Sequence, residues 1–141
     1  MRSVVIRDMD IVFATGFNNS REGMSISKLK EKTFEMQKAY HKKFPNARLH
    51  LTSYIPFGDR QLEANEMLNV LSQDTGCQFI STKAFRDSNT GDLRPNLTKG
   101  IHLKEIGLKT YTKAIMKSLF SPENIGNPTM ATIVRLSDNA E

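Results

Sequence analysis

Cysteine is nearly absent: Cys77 is the only one in the chain. A single thiol excludes an intrachain disulfide and points to a reducing compartment, so an intracellular and cytoplasmic location is expected. Because no CxxC pair exists, cysteine-cluster zinc is excluded too, and neither metal nor cofactor is expected. Cys77 lies in the apolar run Cys77-Gln78-Phe79-Ile80 and is expected to be a buried structural thiol rather than a nucleophile. No apolar run approaches the ~20 residues that span a bilayer, so no membrane partner is expected. The first ten residues carry Arg2, Arg7 and Asp8 and lack a long apolar stretch, which makes them a poor signal peptide. Tryptophan is missing, and no strand is rich enough in aromatics to stack nucleic-acid bases. Internal repeats and low-complexity tracts are also lacking. Glu63, Asp87 and Asp92 show no paired spacing suited to carboxylate chemistry.

What remains is an ordinary globular composition, 38% apolar and 25% charged, in a length that suits one domain. The 20 basic and 15 acidic residues leave a net charge of +5, a modest bias toward anionic partners.

The patterning alternates between strands and helices. Asp10 to Ala14 is a short continuous apolar run ending at Thr15-Gly16, as expected of a strand buried on both faces. Phe17-Asn18-Asn19-Ser20 reads as a loop. From Ser25 or Ser27 a helix should run to about Phe44, with Ile26, Leu29, Thr33, Met36, Tyr40 and Phe44 in one stripe and Pro45 stopping it. Arg48 to Ser53 alternates as a second strand. Leu62, Asn65, Leu68 and Leu71 mark a second helix, closed by Gly76. Cys77 to Ile80 is a third strand, and Asp87 to Asn96 a polar loop. A last helix should span about Lys104 to Leu119, with Leu108, Tyr111, Ile115 and Leu119 inward. One domain is expected over residues 1–120, with 121–141 as a flexible tail in which Met130 to Val134 could still form a short strand. Alternating strands and helices argue for an α/β fold with a parallel sheet, whose ligands bind beyond the C-terminal strand ends. The loops at Thr15–Ser20, at Tyr54–Arg60 and around His102 should all emerge there.

Three blocks carry a family resemblance. Asp10 to Asn19 pairs a strand with Gly16-Phe17-Asn18-Asn19, Phe44 to Pro56 joins a Pro-x-Ala strand to a proline loop, and Lys99-Gly100-Ile101-His102-Leu103 precedes Gly107. In order and spacing they resemble the C-terminal two thirds of an SGNH (GDSL-type) hydrolase, over roughly Asp10 to Phe120. Within that superfamily the Asn65-to-Leu68 helix, the Phe79-Ile80 strand and the Gly100-Ile101-His102-Leu103 block resemble esterase-type domains of metazoan proteins, such as those encoded by some non-LTR retrotransposons. The resemblance implies a three-layer α/β/α fold of SGNH-hydrolase or flavodoxin-like type, truncated at its N-terminus, acting on a carboxylic ester or acetyl group. Residue by residue, His102 matches the general base, Asn18 the oxyanion asparagine, and Gly16 the turn that aims Asn18.

The sequence also departs from the family. No Gly-Asp-Ser nucleophile block precedes the first strand, so the nucleophile is unassigned, and Lys99 stands where an aspartate should orient the histidine. Lysine cannot accept the imidazole N–H, and its charge opposes an imidazolium. About three strands are expected, leaving one sheet edge open, to be completed by an upstream segment or a partner chain. The structural alternatives stay beside these readings: Asn18 as a turn residue, Ser20 and Ser53 as structural serines, His41 as a solvated helix residue, and His50 as a strand residue. Lys28, Lys32, Lys42 and Lys43 on the first helix, with Lys113 and Lys117 on the last, are either solvated faces or an anion-binding surface. The two functional alternatives are an incomplete, weak or inactive esterase and a noncatalytic domain that binds RNA or another anion through these lysines.

Overall fold

The computed structural model describes residues 9–14, 24–99 and 102–120, together with the backbone of 130–135. In chain order the elements are β1 (Met9–Ala14), α1 (Ile26–Lys43), β2 (Ala47–Thr52), α2 (Asp59–Thr75) and β3 (Gln78–Ile80). A 3-10 turn (Lys83–Phe85), β4 (Thr98–Lys99), β5 (His102–Leu103), α3 (Glu105–Leu119) and β6 (Met130–Arg135) follow among the described residues. The fold is α/β. β1, β2, β3 and β6 form one sheet in the order β3-β2-β1-β6, with every neighbouring pair parallel.

Local chemistry sets the helix ends where the sequence placed them. Ser25 caps α1, its hydroxyl accepting the Lys28 N–H at 3.1 Å. Gly76 takes the left-handed conformation that closes α2, with φ of 75°.

Strand alternation divides the core into two clusters. Ile11, Phe13 and Leu51 pack against Leu29 of α1 and Ala64 and Leu68 of α2. Val12 and Ile80, from the other face, pack against Ile115 and Leu119 of α3. Helices therefore cover the sheet on both sides, which explains why the strands read as apolar runs.

Two expectations, the number of strands and the inward face of the last helix, need correction. The stretch Met130 to Val134, left open above as a short strand, has its backbone in β6, in parallel register with β1 from Met9↔Met130 to Ala14↔Arg135. The sheet thus has four described strands rather than about three, and β6, beside β1, is one of its two edge strands. Leu108, expected inward, is 55% exposed. Gly107 faces the core instead, because the start of α3 lies directly against the backbone of Leu97: a β-carbon at 107 would fall 1.9 Å from the Leu97 carbonyl oxygen. Position 108, about 100° further round the helix, is thereby turned to solvent.

Candidate functional site

His102 sits in a small antiparallel ladder, β4 with β5, that runs into α3. Its register pairs Thr98 with Leu103 and Lys99 with His102. The ladder is anchored from below by Leu97, which is fully buried and whose carbonyl accepts the Lys104 N–H at 2.9 Å. The Lys104 ammonium donates to the Pro95 carbonyl at 3.1 Å, tying the helix start to the same loop.

The direction of α3 places this ladder relative to the sheet. At mid-helix, the Tyr111 hydroxyl meets the Thr52 hydroxyl, on the last residue of β2, at 3.2 Å. Near the helix end, Ser118 reaches His50 in mid-strand. The helix thus runs antiparallel to the strands, and its N-terminal end, with His102, lies toward their C-terminal edge, where α/β sheets place their ligands.

The immediate surroundings of His102 are those of a solvated surface. The side chain is exposed, and so is Lys99 across the ladder. Residues directly opposite in an antiparallel pair have Cα atoms only about 4.5–5.5 Å apart, so the ammonium and the imidazole share one neighbourhood. Among the described residues His102 forms no ion pair with a carboxylate and no hydrogen bond to a serine. Gly16 and Asn18 lie outside the described residues, so of the three expected catalytic positions the structure places His102 alone.

The six lysines proposed for anion binding do not form one surface. Lys28, Lys42 and Lys43 are exposed and Lys32 half-buried on α1, which covers one face of the sheet. Lys113 and Lys117 are exposed on α3, which covers the opposite face.

The structure also assembles a polar group that the sequence reading passed over. His50, expected as a simple strand residue, is fully buried. Its Nε2 lies 2.8 Å from Asp10 Oδ1, and its Nδ1 lies 2.8 Å from Ser118 Oγ. Asp10 and His50 are two register steps apart on adjacent strands and share the face covered by α3. Both ring nitrogens are thus engaged, one by the carboxylate and one by the serine hydroxyl. These are the residue types of a catalytic triad, but water does not reach the histidine, and Ser118 lies inside a helix whose backbone N–H groups are already bonded. The group therefore bolts α3 to the sheet. Its one sequence signal was a polar Asp10-and-His50 pattern within strands covered on both faces, where an unpaired polar side chain is costly.

Cys77 behaves as a structural thiol. It is half-buried, accepts the Gln37 amide N–H at 3.1 Å, and burial pushes its thiol above the ordinary range. Among the described residues no group of three His, Cys, Asp or Glu side chains could hold a metal ion, and no helix is long and apolar enough to cross a membrane. No protein-family model matches the chain, and no curated protein matches it either.

Proposed function

We propose that the chain is a three-layer α/β/α domain of the SGNH (GDSL-type) kind, with an ester-hydrolysing site that is incomplete in this sequence. On this reading it turns over carboxylic or acetyl esters weakly or not at all. The observation that carries the reading is Lys99 directly opposite exposed His102, at the position from which a carboxylate would orient the base. Three features favour the ancestry: the parallel sheet, the histidine at the start of the last helix, and the close seat of Gly107 against Leu97, which fits the glycine of the His-Leu-x-x-x-Gly block. A general base contributes about 10²- to 10⁴-fold only when it is oriented, and an ammonium cannot accept the imidazole N–H that a carboxylate would hold. Hydrolysis of p-nitrophenyl acetate tests this. The chain should run at or only slightly above the uncatalysed rate, whereas fast hydrolysis that is lost in His102→Ala would show a complete working site and overturn the reading. Adding Lys99→Asp, together with a supplied Gly-Asp-Ser segment, should be needed to raise the rate.

A second reading, a noncatalytic domain that binds RNA or another anion, is favoured by one face of α3. There exposed Lys113 and Lys117 alternate with Met116 and Phe120, which are 45% and 72% exposed. Such a face offers phosphate contacts beside an aromatic ring. Binding to single-stranded RNA should then weaken linearly in log K against log salt, and the double variant Lys113→Ala, Lys117→Ala should flatten the slope. An absence of binding at low salt removes this reading.

A further inference from the structure

Beyond the C-terminal ends of β2 and β3 the molecule holds a cavity of about 440 Å³, within the range of small-molecule sites. One wall is α2. The other is formed by the turns that leave the two strands and by the 3-10 turn with Arg86 just after it. Its apolar part comes from Pro56, Leu62 and Phe79. Around these stand Asn69, Ser81, Lys83 and Arg86, and a single carboxylate, Glu66.

Arg86 is fixed before any ligand arrives. Its Nε donates to the Pro56 carbonyl at 2.9 Å and its Nη1 to the Gly91 carbonyl at 2.8 Å. The loop that supplies the second carbonyl is itself locked. Gly91 adopts φ of 77°, and Asp87 accepts the N–H groups of Asn89 and Thr90, at 2.8 and 3.0 Å. A guanidinium has five N–H donors in a planar fork, so these two bonds leave most of its donors for the cavity it lines. The Ser81 hydroxyl accepts the Lys83 N–H and keeps its own proton to donate.

We infer that this cavity is a binding site for a small organic monocarboxylate, its carboxylate on the Arg86 fork and its apolar body against Leu62 and Phe79. The two cations against one carboxylate give the lining a net charge of +1, which suits a monoanion, while Glu66 repels the second charge of a phosphate monoester. The site stands apart from the esterase-like hairpin, since neither Lys99 nor His102 lines it.

Titration of the ¹⁵N-labelled full chain with benzoate tests the assignment, with phenyl phosphate and benzamide as comparison probes. Benzoate at millimolar concentration should give saturable shifts of the Arg86 Nε–H and Asn69 side-chain signals, and benzamide none. Arg86→Gln should weaken benzoate at least about tenfold, as loss of a charge-assisted hydrogen bond does. Because Arg86 also ties two loops, Asn69→Phe provides a second variant: it blocks the mouth from an exposed position and should abolish the shifts. The inference is overturned if benzoate produces no saturable shift, if benzamide matches it, or if Asn69→Phe keeps the wild-type affinity. Tighter binding of phenyl phosphate than of benzoate overturns the choice of a carboxylate.

Discussion

Tyr54 shows how one side chain can fasten a strand end. The residue is sealed from water just beyond β2. Its backbone N–H donates to Asn65 Oδ1 at 2.6 Å, and its carbonyl accepts from Asn65 Nδ2 at 2.8 Å. Burial pushes its hydroxyl up to about 12, with Arg60 pulling modestly the other way. An unfolded tyrosine ionises near about 10. The folded state therefore holds this proton more tightly. The associated stability is complete below about pH 10 and disappears as pH rises through about 12. Tyrosinate absorbance followed against pH should show one tyrosine ionising near pH 12 together with loss of circular dichroism, and Tyr54→Phe should remove that step. The spacing of Leu62, Asn65, Leu68 and Leu71 marks Asn65 only as a position on the second helix. A stripe records which face a residue occupies, not which backbone groups its amide will reach.

Among the elements, α3 has each of its ends fixed by a different chemistry. At its start, Gly107 permits contact with the Leu97 backbone. At its end, Ser118 joins the buried His50 and Asp10. Gly107→Ala must push the helix off Leu97, a rigid backbone obstacle, and should cost roughly 2–3 kcal/mol, measured by urea unfolding. The same variant should loosen the ladder that carries His102, visible as faster amide exchange at Leu103 and Lys104. The extents of α1, α2 and α3 were legible because caps, proline stops and periodicity act within a few residues. The inward face of α3 was misjudged at Leu108 because a glycine's missing side chain carries no hydrophobic signal. Likewise, nothing local in Asp10, His50 and Ser118 announces that strands and helix will bring the three together. The separation of the lysines onto opposite faces is likewise a property of topology, invisible to a count of charge.

For the whole molecule, the decisive contact is the parallel pairing of β6 with β1, which makes β1 an interior strand. Its residues Ile11, Val12 and Phe13 are at most 1% exposed, so both of its faces and both of its hydrogen-bonding edges are occupied. A chain ending at Pro128 should present one edge of that apolar strand to solvent. Such an edge pairs readily with other chains. Size-exclusion chromatography should show the shortened chain as aggregates or dimers at concentrations where the full sequence elutes as a single smaller species.

The same pairing has a kinetic side. Met9 and Met130 are register partners although 121 positions separate them along the chain (130 − 9). Every other strand pair of the sheet joins far closer segments, so β1, β2 and β3 can assemble while the last strand is still searching. Closing so long a loop adds little to the free-energy cost but slows the search, as high contact order does generally. During that interval a second molecule's β6 can dock in the vacant lane with the same register and the same hydrogen bonds. Refolding should therefore partition with concentration between a monomer and a strand-exchanged dimer, the balance being set by which β6 arrives first.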